Sequence, residues 1–275
     1  MNGKNVFKGI FGTEKPIIGM VHLKPLPGSP GYDPDKGMKF IIKNALEDAD
    51  RLVNGGIDGI QVENQFDKPF LKAEEIGWET VAAITSVVTN LKAKYGIPMG
   101  VNIHLNGVCQ ALAVAAATEC KWIRAFELAN AYISNSGIIE AAGPKALRYR
   151  SVLHANDIMI FGDFHVKHGS HQITADRSLE EQAEDVEAAK ADGVIVTGVK
   201  TGSPPTSEDI KRIKGSITIP ILIGSGLTIE NISEFLPLID GAIVGSYFKN
   251  EGKLSNSIDV LRVKKFMYKV RSLRK

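Results

Sequence analysis

Histidine and carboxylate side chains follow several short apolar runs of this 275-residue chain, and together they could move protons. His22 ends the run PIIGMVH, Glu63 lies near the end of GIQVEN, and Asp163 and His165 close DIMIFGDFH. Histidine titrates near neutral pH, and a protein can bring a carboxylate there, so these residue types suit general acid–base catalysis. We therefore expect His22, Glu63, Asp163 and His165 to be catalytic.

Further polar residues at similar positions could bind a substrate. These candidates are Asn102, His104, Arg124, Lys167 and Thr197. The same part of the sequence leaves a divalent metal ion open as an alternative, because histidine and carboxylate side chains are common metal ligands. Its ligands would come from His22, Glu63, His104, Asp163 and His165. No motif indicates any other cofactor.

Two glycine–serine turns near the end of the chain could bind a phosphate group. ILIGSGLTIEN contains Gly224, Ser225 and Gly226, and AIVGSYFKNEG contains Gly245 and Ser246. Glycine lets a phosphate oxygen approach the backbone N–H groups closely, since it has no Cβ. Lys249 could add a positive charge. Turns that only shape the backbone are the alternative.

The scaffold that must position these residues alternates strands with helices. We predict strands at 16–22, 59–64, 98–104, 121–126, 157–165, 193–198, 220–225 and 241–246. Helical patterns lie near 36–54, 74–95, 107–118, 140–154, 178–191, 206–214, 229–236 and 255–272. Eight such units predict an α/β fold, a single (β/α)8 TIM barrel over residues 1–275 in which 1–15 form an N-terminal extension. An open doubly wound sheet is the alternative, but no GxGxxG follows the first strand.

Alternation along the predicted strands gives each side chain a face. In a parallel barrel the outward residues pack under helices and are apolar, so the polar residues of alternating runs point inward. The inward polar set is His22, Glu63, Asn102, His104, Arg124, Asp163 and His165. All lie near carboxyl ends of strands, where barrels carry their active sites, and the two glycine turns follow strands seven and eight, where many barrels bind phosphate. After strand four, residues 127–144 form either a lid or an unstructured surface loop.

Composition excludes several classes of protein. Net charge is +2, so no nucleic-acid partner is expected. No run approaches the length of a membrane span and the N-terminus lacks the apolar core of a signal peptide, so a cytoplasmic protein without a transmembrane segment is expected. The two cysteines, Cys109 and Cys120, are expected to be reduced.

Several motifs, in order along nearly the whole chain, resemble the BtpA/SgcQ family. They include IFGTEKPIIGMVHLKPLPGSP, GIDGIQVENQFDKPF, VIVTGVKTGSPP, GSGLTIEN and IVGSYFK. The resemblance implies a barrel similar to the ribulose-phosphate-binding barrels. It also implies a role in photosystem I biogenesis, reported for some cyanobacterial members. Barrels of this kind often associate through their outer helices, which leaves a homo-oligomer open.

Two functions follow as expectations. In the first, the protein is an enzyme (an isomerase, lyase or hydrolase) that binds a small phosphorylated ligand, a sugar phosphate or phosphoribosyl compound. Its chemistry would be Asp/His acid–base catalysis at the carboxyl-terminal face of the barrel. In the second, it is a non-catalytic assembly or regulatory factor of the photosystem I biogenesis type. Burying polar residues costs free energy unless they are paired, so the inward set favours a pocket that is used.

Overall fold

Eight parallel strands close into a barrel in the computed structural model, which describes residues 3–198 and 204–274. The barrel strands are β1 (Ile17–His22), β2 (Gly59–Glu63), β3 (Met99–Asn102), β4 (Trp122–Ala125), β7 (Met159–Asp163), β8 (Gly193–Val196), β9 (Ile221–Ile223) and β10 (Gly241–Val244). Around the barrel their order is β1, β10, β9, β8, β7, β4, β3, β2. The predicted fold is confirmed, and each strand ends at the predicted limit or one to two residues before it.

Helices connect the strands and cover the outside of the barrel. They are α2 (Gly37–Gly55), α3 (Trp78–Lys94), α4 (Val108–Ala117), α5 (Gly143–Val152), α6 (Leu179–Ala188), α7 (Ser207–Ser216), α8 (Ile232–Phe235) and α9 (Val260–Leu273). Side-chain caps fix several starts: Ser178 accepts from the Glu181 N–H, and Thr206 accepts from the Asp209 N–H. None of the described helices is long and apolar enough to cross a membrane.

Large side chains pack the barrel interior in the half towards the amino-terminal ends of the strands. Met20, Trp122, Phe161 and Leu222 are among the buried residues of this inner cluster. Gly100 on β3 makes room for the Trp122 indole, because a Cβ at residue 100 would lie 2.2 Å from it. This apolar layer excludes water beneath the polar residues at the strand ends.

The N-terminal extension forms a helix, α1 (Gly3–Phe11), that closes the amino-terminal end of the barrel. Phe7 is fully buried there, with its ring 5.8 Å from the Phe161 ring in an edge-to-face contact. Phe11 lies 5.1 Å from Trp122. The extension therefore contributes to the inner core.

The connection after β4 forms an antiparallel hairpin, β5 (Ala131–Ser134) and β6 (Gly137–Glu140). Tyr132 and Ile139 face each other across it and are buried, so the hairpin packs onto the carboxyl end of the barrel. Of the two expectations for this segment, the poorly structured surface loop is wrong, and an ordered hairpin at the mouth is compatible with the other, a lid.

Candidate functional site

A cavity of about 740 Å³ opens at the carboxyl ends of the barrel strands. We call it the mouth cavity. Most of the predicted site residues line it: His22, Glu63, His104, Arg124, Lys167, Gly224, Ser225, Gly226, Gly245 and Ser246. Strand alternation predicted His22, Glu63, His104, Arg124 and Lys167, and the turn motifs predicted the others, because strand ends of one barrel converge there.

The Glu63 carboxylate is the centre of a buried polar cluster in this cavity. His104 Nε2 lies 3.1 Å from Glu63 Oε1, and His22 Nε2 lies 4.0 Å from the same oxygen. The Asn102 side-chain amide donates to Glu63 Oε2 at 2.6 Å. Side chains from the adjacent strands β1, β2 and β3 thus meet at one carboxylate.

The pKa values of this cluster differ from those of the free side chains. Burial lowers the pKa of His22 to about 4, although the Glu63 charge partly opposes this. Burial by itself would raise the pKa of Glu63, but His104, His22 and Arg124 outweigh it and hold that pKa below its usual range. Near neutral pH the cluster therefore contains an ionised Glu63 beside a neutral His22.

Arg124 and Asp163 form a buried bidentate ion pair. Arg124 Nε and Nη2 donate to the two carboxylate oxygens of Asp163 at 2.7 and 2.6 Å. Burial raises the pKa of Asp163, and Arg124 opposes the rise. Asp163 points inward as predicted, but it is fully buried beneath the cavity surface and both of its oxygens are occupied. The geometry makes it the residue that orients Arg124.

The prediction that His165 faces the mouth cavity is wrong. The alternation rule needs a continuous strand, but β7 ends at Asp163, and His165 has a left-handed backbone with φ 50°. Its ring stacks on His171 at 4.1 Å and lines a separate depression on the outside. After the same break Val166, which continued strand alternation would turn outward, lines the mouth cavity.

Asn102 and Thr197 are buried just under the cavity. Asn102 is fully buried and acts through its hydrogen bond to Glu63. Thr197 is 8% exposed, and its methyl group would lie 3.1 Å from a Cβ placed on Gly224. Both support residues that reach the cavity. Residues 199–203, which complete the VIVTGVKTGSPP motif, lie outside the described residues.

The two glycine turns after β9 and β10 form one side of the cavity, and we call residues 224–227 and 244–247 the glycine loops. A Cβ on Gly224 would lie 2.5 Å from Ile195 Cγ2, and one on Gly245 would lie 3.1 Å from His22 Cε1. Glycine is therefore required at residue 224, and a side chain at residue 245 would need His22 to shift. Lys249 does not add its charge to the cavity, because it is buried and pairs with Asp48 at 2.6 Å.

Lys167 adds a half-buried amine to the cavity surface. Burial, together with the nearby Arg124 charge, lowers the pKa of Lys167 to about 8. A lysine with such a pKa can take up and release protons near neutral pH. Sequence analysis identified the residue but not this property, which depends on its burial and on Arg124.

Aromatic side chains complete the cavity, and two of them, Phe70 and Tyr132, were not predicted from the sequence. Phe70 stacks on one side of the His104 ring at 4.1 Å, and Phe126 lies on the other side at 4.6 Å. Tyr132 of the hairpin also lines the cavity. Phe70 and Tyr132 belong to segments without strand periodicity, so the sequence carried no signal for their position.

The positions of the candidate ligands support the alternative of a metal site only in part. His22, Glu63 and His104 lie together, whereas Asp163 bonds Arg124 and His165 lies elsewhere. Across residues 3–198 and 204–274, no three or more His, Cys, Asp or Glu side chains are arranged to hold a metal ion.

Solved structures with the same architecture support the fold. Tryptophan synthase from Mycobacterium tuberculosis is 16% identical, covers 97% of each chain and gives a TM-score of 0.61. Phosphoribosyl anthranilate isomerase from Thermococcus kodakaraensis is 16% identical, covers 94% of this chain and 99% of its own, and gives 0.53. At these identities the likeness shows the barrel fold alone.

Sequence relatives are much closer. A protein from Archaeoglobus fulgidus is 38% identical over 92% of this chain and 98% of its own. The photosystem I biogenesis protein BtpA of Synechocystis is 36% identical over 94% of this chain and 88% of its own, and a Caenorhabditis elegans protein is 36% identical over 98% of each. The profile of the BtpA family matches residues 13–272. The chain belongs to the BtpA family.

Proposed function

We propose that this protein is an enzyme that binds a small phosphorylated substrate in the mouth cavity and transfers protons on it. The substrate would be a sugar phosphate or a phosphoribosyl compound. One observation carries the proposal: the two glycine loops and the His22–Glu63–His104 cluster line the same cavity. A group that binds phosphate and groups that move protons are thereby held around one ligand.

The glycine loops suit a phosphate because of their position and their packing. They follow the seventh and eighth barrel strands, where many barrels bind phosphate through backbone N–H groups. Positive charge is available beside them: a Cβ on Gly224 would lie 3.0 Å from Arg124 Nη2, and Lys167 lines the same cavity. A phosphate there would meet both backbone donors and cations.

Proton transfer is best assigned to groups on the cavity surface. His104 lies against the ionised Glu63, and Lys167 has a pKa of about 8. Neutral His22 could accept a proton. These residues replace Asp163 and His165 as the acid–base candidates, and Asp163 takes the role of a positioning residue. Isomerase, lyase and hydrolase chemistry all fit this set.

Structural neighbours support a phosphorylated substrate by analogy of fold. They include phosphoribosyl anthranilate isomerase, thiamine phosphate pyrophosphorylase and N-acetylmannosamine-6-phosphate 2-epimerase. These are different reactions on one scaffold, so the analogy extends to the phosphate and no further.

A non-catalytic assembly factor is the second candidate, and the name of the Synechocystis relative favours it. Relatives of similar identity occur in an archaeon and in a nematode, so photosystem biogenesis cannot be the function common to all of them. An assembly factor that works through its surface would tolerate substitutions in the mouth cavity and lose function when outer-helix residues change.

Thermal unfolding with added ligands tests the proposal. The probes are inorganic phosphate, ribose 5-phosphate and other sugar phosphates, each with and without a divalent metal ion. A ligand at 100 times its Kd should stabilise the protein by about 2.7 kcal/mol. Ser246 is half-buried in a glycine loop, so Ser246→Asp should abolish the shift by charge repulsion, whereas the neutral Ser246→Asn should keep most of it. No shift with any phosphate compound at millimolar concentration would make the assembly factor the leading function.

A further inference from the structure

The side of the mouth cavity opposite the glycine loops is apolar and largely aromatic. We call it the aromatic wall, and it consists of Phe70, Leu105, Phe126, Tyr132 and Val166, all of which line the cavity. These residues form a hydrophobic cluster separate from the barrel core. Apart from half-buried Phe70, each is no more than 7% exposed.

The order of the strands places the wall across the barrel from the glycine loops. Phe70, Leu105, Phe126 and Val166 follow β2, β3, β4 and β7, and the glycine loops follow β9 and β10. In the closed ring, β8 separates the two groups on one side and β1 on the other. A ligand that touches both must therefore extend across the mouth.

The wall is built around stacked rings. Phe70 stacks on His104 with an angle of 12° between the ring planes, and the Arg124 guanidinium lies 5.1 Å from the centre of the Phe126 ring. Aromatic rings prefer such offset or stacked partners. Polar sugar hydroxyls alone would gain little from this surface.

The size of the cavity also exceeds what a phosphate needs. Its volume of about 740 Å³ falls in the range of pockets that enclose whole organic ligands, about 300–1,000 Å³. A phosphate at the glycine loops would leave the wall uncovered. A flat apolar group on the same ligand would fill the remaining space.

We infer that the ligand of the mouth cavity is a phosphate ester that carries an aromatic ring, with its phosphate at the glycine loops and its ring against the aromatic wall. This inference rests on the proposed function and narrows its substrate class. The polar side chains of His104, Arg124 and Lys167 line the same cavity.

Isothermal titration with matched ligands tests the inference. The probes are the four ribonucleoside 5′-monophosphates (AMP, GMP, CMP and UMP), ribose 5-phosphate, which is the part they share, and the four nucleosides, which lack the phosphate. We expect at least one monophosphate to bind ten-fold or more tightly than both ribose 5-phosphate and its own nucleoside. Stacking of one base on an aromatic side chain commonly provides a gain of about this size.

Variants then locate the ring. Phe70→Leu should weaken the monophosphate about ten-fold and leave ribose 5-phosphate unchanged, because it removes a ring but keeps an apolar side chain. Phe66→Leu is the control, since Phe66 lies in the same loop, outside the mouth cavity, near Lys24. It should change neither affinity. Phe126→Leu provides a second variant on the wall if Phe70→Leu does not fold.

The outcomes separate the inference from the proposed function. Suppose that ribose 5-phosphate binds, that Ser246→Asp abolishes this binding, and that no monophosphate binds more tightly. This result would overturn the inference of an aromatic ring and leave the proposed function standing. A monophosphate whose affinity is unchanged in both wall variants would also overturn it. No binding by any phosphate compound would overturn both the inference and the proposed function.

Discussion

At the scale of single residues, the site depends on how one buried carboxylate is compensated. Glu63 has a histidine 3.1 Å away, a second histidine 4.0 Å away and the Asn102 amide as a hydrogen-bond donor. Each of these groups comes from a neighbouring strand end. A buried carboxylate without such partners would take up a proton, so the cluster keeps Glu63 charged.

The pKa of His22 predicts a loss of stability in acid. Its pKa is about 4 in the folded protein and about 6.5 in an unfolded chain, so protonation favours unfolding. The stability that the folded protein keeps by holding His22 neutral is therefore complete above pH 6.5. It is lost as the pH falls from 6.5 towards 4, by at most about 3 kcal/mol. Urea unfolding across this range should show stability rising with pH.

His22→Asn should flatten that pH dependence. Glu63 and Asp48 oppose the lowering of the His22 pKa, whereas Lys249 and Lys167 add to it. All four residues are kept in the variant, so that only His22 differs. His154→Asn is the control, because His154 is exposed and its left-handed backbone (φ 52°) also suits asparagine. Equal slopes in the wild type and His22→Asn would contradict the assignment of a neutral, buried His22.

The buried Arg124–Asp163 pair predicts an asymmetric response to substitution. Arg124→Met leaves the Asp163 carboxylate buried without a partner, which should cost about 3–5 kcal/mol of unfolding free energy. Combining Arg124→Met with Asp163→Asn should recover part of this loss. Urea unfolding at pH 7 measures both.

An exposed ion pair of the same bidentate geometry is the control. Arg212 donates to both oxygens of Glu180, at 2.6 and 2.8 Å, on the surface. Arg212→Met should therefore destabilise the protein far less than Arg124→Met. Similar losses at the two sites would show that burial of Asp163 is not what makes Arg124 important.

At the scale of elements, the N-terminal helix predicts a purely structural effect. Phe7 of α1 is fully buried against Phe161, at the end of the barrel opposite the mouth cavity. Phe7→Ala should cost about 3–5 kcal/mol of unfolding free energy. Phe40→Ala, at a position that is 37% exposed, should cost much less.

Ligand affinity distinguishes this effect from one on the site. Because α1 and the mouth cavity lie at opposite ends, the Phe7→Ala protein should bind phosphate compounds as the wild type does wherever it remains folded. A large loss of affinity at a temperature well below its unfolding would mean that the two ends are coupled.

The elements also show what the sequence could predict. Strand and helix periods predicted all eight barrel strands and their helices, because each parallel strand is an apolar run covered by an amphipathic helix. Alternation placed His22, Glu63, Asn102 and Arg124 correctly, since each lies within a regular strand, and His104, two residues after the end of β3, also reaches the cavity. It failed at His165, where the backbone turns left-handed after β7.

What could not be predicted depends on contacts between distant segments. The hairpin of β5 and β6 is held by burial of Tyr132 and Ile139 against the barrel mouth, and α1 by Phe7 in the inner core. Neither segment has a period that reveals its partner. The pKa of Lys167 likewise follows from burial and from Arg124, 43 residues away in the sequence.

At the scale of the whole molecule, the barrel mouth has two chemically different sides. The glycine loops, followed by the short 3-10 helix Ser246–Phe248, form one side, and the aromatic wall forms the other. His22, Glu63, His104 and Arg124 line the same cavity. Such an arrangement would orient a ligand end to end, as the proposed proton transfer requires.

The most direct test of this account is a crystal structure of the protein grown with ribose 5-phosphate. We predict that the phosphate lies against the glycine loops, accepting hydrogen bonds from backbone N–H groups of residues 225–226 and 245–246. The sugar should extend towards His104 and Lys167. A phosphate bound among surface lysines with the mouth cavity empty, or bound in reverse against the aromatic wall, would contradict the account.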